Sequence, residues 1–79
     1  MDQKKVTIEK IEYMSSDRAG NPRFRVYTDG GVFTTISGGA VALGIQNQEF
    51  QGEVILTLEK GEIVGVSSVD GKHFTGRQQ

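Results

Sequence analysis

Apolar side chains recur at every second position along most of this chain, and this alternation constrains its fold more than any other feature. Successive side chains of a β-strand point to opposite faces of a sheet, so a period of two is typical of strands with one buried face. Most of the glycines lie between the alternating segments, where turns are needed. The sequence therefore predicts an all-β domain.

The length of 79 residues supports one domain, which we place at residues 1–79 with a core at about 4–68. The tail, residues 69–79, is expected to be either a short added strand or a flexible end. Because the chain has no cysteine and one histidine, we expect no disulfide, no metal site and no cofactor.

The formal net charge is −1, and no stretch approaches the roughly 20 apolar residues that a membrane helix needs. The first residues lead directly into a strand-like pattern and not into the apolar segment of a signal peptide. These features predict a soluble, cytoplasmic protein with no membrane partner. Positive charge is concentrated in residues 1–36, which carry six Lys or Arg against five Asp or Glu, while residues 37–79 carry three against five.

The first strand is expected to be long and bent. Its apolar side chains are Val6, Ile8, Ile11 and Tyr13. These four share one face only if one extra residue is absorbed between Ile8 and Ile11. The pattern therefore predicts a β-bulge at Glu9-Lys10.

Two turn lengths are open for the hairpin of the second and third strands. A two-residue turn at Asp29-Gly30 would place Val32 opposite Tyr27, whereas a three-residue loop would place Phe33 opposite Tyr27. We expect the longer loop because it keeps one face suited to the core, made of Phe24, Val26, Val32, Thr34 and Ile36. The opposite face then carries Arg23, Arg25, Tyr27, Phe33 and Thr35.

The alternation stops at residues 37–45, whose alanine-rich centre, preceded by Ser37 as a cap, predicts one or two helical turns. Residues 53–59 and 62–67 then predict a final hairpin in which Leu58 pairs with Ile63 and Gly65 faces Leu56. The side chains expected to point into the core from this hairpin include Val54, Leu56 and Leu58.

Three strands, a short helix and two further strands form an element order similar to the OB-fold, a Greek-key barrel of five strands. The resemblance covers about residues 4–68 and implies a closed or partly open barrel with its helix between strands 3 and 4. An SH3-like barrel would instead carry its helical turn before the last strand. The run from Tyr27 to Thr35 is also similar to short phage-encoded proteins, a resemblance to which no function is attached.

Catalysis is not expected from this sequence. There is no cysteine and no serine-centred nucleophile motif, and His73 lies in the tail, so no nucleophile and base can be paired. Glu53, Glu59 and Glu62 fall at strand ends or a turn tip, where solvated acids are typical. Gly38-Gly39 lacks the Lys-Ser/Thr pair of a phosphate-binding P-loop.

The strongest candidate site is the outward face of the second and third strands. Its members are Arg23, Arg25, Tyr27 and Phe33, with Arg18 in the preceding loop. Proteins that bind single strands combine cations for the phosphates with aromatic rings for the bases, and the OB resemblance implies use of this face. Alternatively, the two rings form a cross-strand pair that stabilises the hairpin, and the arginines serve solubility. The short acidic loop at residues 59–62 and the near-neutral charge predict weak binding.

A second candidate surface lies on the final hairpin. Its outward face is expected to carry Ile55, Thr57, Val64 and Val66. Small monomers seldom expose such an apolar stripe, so Ile55, Val64 and Val66 predict an interface with a second copy or a partner protein. Alternatively, the helix or the tail covers them within one chain.

These features together predict a non-enzymatic module that binds single-stranded DNA or RNA weakly. The alternative is a protein-interaction module, either homodimeric or docked on a partner protein, that binds no nucleic acid. A structural subunit of a larger assembly is a third possibility.

Overall fold

The computed structural model describes residues 2–16, 18, 20–36 and 40–76. A short helix, α1 (Val41–Gly44), and a 3₁₀ turn (Gln48–Phe50) separate the third strand from the fourth. The strands in chain order are β1 (Asp2–Ser16), β2 (Pro22–Thr28), β3 (Gly31–Thr35), β4 (Gly52–Glu59), β5 (Glu62–Ser68) and β6 (Phe74–Gly76).

The strands form one sheet in the order β3-β2-β1-β4-β5-β6, and an additional parallel pairing of β3 with β5 closes it. Thr34 lies opposite Glu62 and Thr35 opposite Ile63 in this closure. The amide of Ile36 continues it with a 3.1 Å hydrogen bond to the carbonyl oxygen of Ile63. The predicted fold class is confirmed, since this is a closed five-stranded barrel of OB-like architecture with its helix between β3 and β4.

Strand β1 pairs with two neighbouring strands and bends between the two pairings. It pairs with β4 from Asp2 to Ile8 and with β2 from Ile8 to Ser16. A register shift between Ile8 and Lys10 leaves Glu9 without an opposite residue, which confirms the predicted bulge. Because of this extra residue, Ile11 packs against the buried core on the same side as Val6 and Ile8.

The hairpin of β2 and β3 contradicts the expected register. Tyr27 lies opposite Val32, and Val26 lies opposite Phe33, so the turn has two residues, Asp29 and Gly30. Phe33 therefore packs against the core, whereas Val32 is 55% exposed. The predicted three-residue loop was wrong because it buried the smaller valine and exposed the larger phenylalanine, which has more apolar area to remove from water.

Contacts with β1 and within the turn hold the shorter turn in place. The amide of Thr7 donates a 2.8 Å hydrogen bond to Oδ1 of Asp29, and the amide of Asp29 donates to the carbonyl oxygen of Thr7. The hydroxyl of Thr28 accepts from the amide of Gly30 and donates to the carbonyl oxygen of Gly31. The register also carries Thr35 to the buried face, where its hydroxyl accepts a 3.0 Å bond from the amide of Phe24.

Helix α1 lies inside the predicted segment and packs against β2, β5 and β6. Ala40 occupies its N-cap position without a side-chain hydrogen bond, and Ser37, the expected cap, lies outside the described residues together with Gly38-Gly39. The buried cluster of the barrel consists of Val6, Val26, Val41, Ile45, Phe50, Val54, Leu56, Leu58, Ile63 and Val66.

The final hairpin contains another bulge, which the alternation did not predict. Leu58 pairs with Ile63 as expected, but Gly65 lies opposite Thr57 and not opposite Leu56, because Val64 is an extra residue in β5. Val66 consequently lies opposite Leu56 and joins the core. The expectation that Val66 faces outward was therefore wrong.

The tail contributes an added strand as far as Gly76. Strand β6 pairs antiparallel with β5, with Phe74 opposite Ser67 and Gly76 opposite Gly65. In the part of the chain that the structure describes, β3 pairs with this edge of β5 at Glu62 and Ile63, and β6 covers the residues beyond them. An uncovered strand edge can pair with other chains, and β6 removes that risk here.

Candidate functional site

Four side chains from two strands meet on the outer face of the barrel, and we call them the β1–β2 cluster: Lys10, Glu12, Arg25 and Tyr27. Lys10 lies opposite Tyr27, and Glu12 lies opposite Arg25. The ammonium nitrogen of Lys10 stands 5.5 Å from the centre of the Tyr27 ring. The cluster thus brings two cations and an aromatic ring together, which is the combination that single-strand binders use.

Glu12 is the electrostatic centre of the β1–β2 cluster. Its Oε1 accepts hydrogen bonds from the Tyr27 hydroxyl at 3.2 Å and from Nη1 of Arg25 at 3.3 Å, while its Oε2 lies 3.5 Å from Nζ of Lys10. The hydrogen bond from Tyr27 and the charge of Lys10 hold the pKa of Glu12 below its ordinary value. Glu12 is therefore ionised at neutral pH and offsets one of the two positive charges beside it.

Arg23 is placed differently from the other predicted cations. Its Nη2 lies 3.0 Å from Oε2 of Glu62, and its Nε donates a 3.4 Å hydrogen bond to the carbonyl oxygen of Thr35. Both partners belong to the β3–β5 closure. Arg23 therefore links β2 to the β3–β5 closure of the barrel, and its charge is already paired with a carboxylate.

The predicted face is brought together only in part. Arg25 and Tyr27 are adjacent on the outer surface, but Phe33 lies on the other face of the hairpin, where Nζ of Lys4 stands 5.9 Å from its ring centre. Arg18 is exposed in the loop between β1 and β2. The predicted pairing of Phe33 with Tyr27 was wrong because it depended on the longer hairpin loop.

The predicted interface residues are covered to different extents within the chain. Val64 and Val66 are each 2% exposed, and β6 pairs along this part of β5. Ile55 is half-buried in an outward row between Lys5 and Ser67. Burial of the two valines within the chain corresponds to the alternative in which no partner is needed to cover them.

A groove that the sequence did not predict opens beside the bulge of β1, and we call it the β1 groove. It has a volume of about 500 Å³. Its lining includes the apolar residues Ile8, Ile11, Ile45 and Phe50 and the polar residues Glu9, Lys10, Gln46 and Gln51. Lys10 belongs both to this groove and to the β1–β2 cluster.

Sequence reasoning missed Lys10 and Glu12 as members of the site, although a signal for them was present. A bulge at Glu9 moves Lys10 and Glu12 to the face opposite Ile11, which is the outer face. Pairing of β1 with β2 then places them beside Tyr27 and Arg25. The alternation of β1 and the bulge together could have indicated both residues.

Neither a cluster of metal-ligating side chains nor a membrane-spanning helix occurs in residues 2–16, 18, 20–36 and 40–76. These residues contain no group of three or more His, Asp or Glu side chains placed to hold a metal ion. No helix among them has the length and apolar character for crossing a bilayer.

No family model matches this chain, and neither a curated protein nor a solved structure matches it.

Proposed function

We propose that this chain is a non-enzymatic OB-like module that binds single-stranded nucleic acid weakly through the β1–β2 cluster. Lys10 and Arg25 would contact phosphates, and the ring of Tyr27 would stack on a base. Arg18, in the loop that borders this face, would assist. The proposal rests on one observation, the placement of two cations around one aromatic ring on the outer face of β1 and β2.

Glu12 limits this binding and supplies its sharpest test. A phosphate that approaches Lys10 or Arg25 competes with a carboxylate already 3.3–3.5 Å from both side chains. Replacing Glu12 by Gln removes that competitor but retains the shape of the side chain. Because an exposed ion pair is worth up to about 1 kcal/mol, we expect Glu12→Gln to tighten binding by up to roughly fivefold.

The measurement is fluorescence anisotropy of a labelled mixed-sequence oligonucleotide, as DNA and as RNA, titrated with protein at low salt. Glu53→Gln is the matched control, since it makes the same change in net charge at a carboxylate paired with Lys5 on β4 and β1. We expect no gain from this control. Equal gains in both variants would show that net charge alone governs binding and would reject the site.

Two losses should accompany that gain. Tyr27→Ala should cost roughly 1–3 kcal/mol of affinity through the lost stack, while Tyr13→Ala, at an exposed ring outside the cluster, should cost little. Arg25→Gln should lower the salt dependence by about 0.7 in the slope of log K against log salt. Absence of binding by the unmodified protein at low salt would reject nucleic acid as the ligand.

A protein-interaction module is the second candidate, and the charge pairing on this surface favours it. Arg23 and Arg25 each have a carboxylate partner, so the face carries both signs of charge beside Tyr27 and the exposed Val32. Tyrosine and arginine are enriched at protein interfaces, where charges of both signs can be matched. This candidate predicts that neither Glu12→Gln nor the unmodified protein binds an oligonucleotide.

A further inference from the structure

Among the described strands, one edge of β1 has no partner beyond the bulge. Pairing with β4 ends where Ile8 meets Gly52, and from Lys10 to Ser16 β1 pairs only with β2 among the described strands. A strand edge of this kind exposes backbone donors and acceptors and can serve as a template for a further strand.

The β1 groove provides space beside the first part of this edge. Ile8 and Ile11 of β1 form one side of it, and Ile45 and Phe50 of the connection between α1 and β4 form the other. Neighbouring strands lie roughly 4.8 Å apart, so an added strand would begin in this groove and cover its apolar lining.

The charges along the edge identify the strand that fits. In an antiparallel pair of two identical strands centred on Ile11, Lys10 of each copy lies opposite Glu12 of the other, on the same outer face. A pair centred on Lys10 would place two lysines opposite each other, and a pair centred on Glu12 would place two glutamates opposite each other. Opposite charges at facing positions stabilise a strand pair, and like charges destabilise it.

We infer that the free edge of β1 binds a second copy of this chain, in a two-fold symmetric dimer centred on Ile11. The contact is isologous, because each copy gives and receives the same strand. Only about five residues of each strand, Glu9 to Tyr13, can pair in this register, because the edge of β1 as far as Ile8 is paired with β4. The contact therefore buries less than the roughly 1,000 Å² of a stable interface and forms at high protein concentration. The dimer does not depend on nucleic acid and is tested without it.

Single cysteines test the register directly, because the chain has no cysteine of its own. Facing α-carbons of an antiparallel pair lie about 4.5–5.5 Å apart, within the range that a disulfide spans. Ile11→Cys should therefore form a disulfide-linked dimer under mild oxidation. Ser15→Cys is the control, because its two copies would lie roughly 26 Å apart, eight residues along the strand.

A charge reversal tests the same contact without a cysteine and without changing the apolar lining. Lys10→Glu would place a glutamate opposite Glu12 at both facing positions beside the two-fold axis, and we expect the dissociation constant to rise roughly tenfold or more. Lys5→Glu is the matched control, since Lys5 also pairs with a carboxylate on the outer surface but lies before the bulge. It should leave the dissociation constant unchanged.

Sedimentation equilibrium over a wide concentration range gives the dimer dissociation constants of the unmodified chain, Lys10→Glu and Lys5→Glu. Concentration-dependent dimerisation of the unmodified chain, lost in Lys10→Glu and kept in Lys5→Glu, supports the dimer. A monomer at every concentration overturns it. Faster cross-linking through Ser15→Cys than through Ile11→Cys, or equal weakening by both charge reversals, also overturns it.

Discussion

The hydroxyl group of Tyr27 donates a 3.2 Å hydrogen bond to Oε1 of Glu12, across the pairing of β2 with β1. This bond is the largest cause of the lowered pKa of Glu12, and the charge of Lys10 follows it. A base that stacks on Tyr27 would therefore approach a ring whose hydroxyl and face are both already engaged. Because these contacts lower the pKa of Glu12, they also make the stability of the fold at acidic pH depend on the candidate site.

Removing the Tyr27 hydroxyl should raise the pKa of Glu12 toward its ordinary value of 4.5. Folding favours the Glu12 carboxylate, so its contacts stabilise the fold at pH values above the ordinary pKa. This stabilisation is lost as the pH falls through the lowered pKa of the folded state. NMR titration of the Glu12 carboxyl carbon in Tyr27→Phe measures the change. Tyr13→Phe should leave that titration unaltered, because the Tyr13 hydroxyl contacts Ser16. Similar shifts in both variants would contradict the assignment.

The register of the β2–β3 hairpin can be tested by two neighbouring truncations. Phe33 packs against the core and Val32 is exposed, so Phe33→Ala should lower the free energy of unfolding by about 2 kcal/mol or more. Val32→Ala should change it by less than about 0.5 kcal/mol. Urea denaturation of the two variants gives both values, and the reverse order would indicate the three-residue loop.

The buried hydroxyl of Thr35 should contribute to stability through one hydrogen bond. Replacing Thr35 by Val keeps the shape of the side chain but leaves the amide of Phe24 without its acceptor, at a cost of about 1–3 kcal/mol. Thr34→Val on the other face removes no such bond and serves as the control. A melting temperature lowered equally by both substitutions would show that strand propensity, and not the hydrogen bond, is responsible.

The absence of a side chain at Gly76 should be required for the pairing of β6 with β5. A methyl group there would meet the carbonyl oxygen of Val64, and the φ of Gly76 is +81°, a conformation that other residues rarely adopt. Gly76→Ala should therefore detach β6 and speed amide hydrogen exchange in residues 65–67. Gly71→Ala is the control, because Gly71 has a φ of +77° but open space around it. Equal exchange in the two variants would mean that backbone strain alone matters.

Much of the fold followed from local patterns. The alternation predicted the strands, and the misfit between Val6-Ile8 and Ile11 predicted a bulge at Glu9-Lys10, because only one extra residue lets all three apolar side chains reach the core. The break in alternation after Ile36 located the helix. Each of these inferences uses residues close together in the chain, where side-chain periodicity reports directly which face is buried.

Register and side-chain partners were decided only by the tertiary structure. The two-residue turn at Asp29-Gly30 is held in part by Thr7, 22 residues earlier, and Arg23 is paired with Glu62, 39 residues later. Periodicity shows that one face of a strand is buried. Pairing with other strands of the barrel decides the register, and the register decides which of the two faces is the buried one. For this reason Phe33 is not part of the site, contrary to the prediction. Lys10 and Glu12 are part of it because β1 lies beside β2.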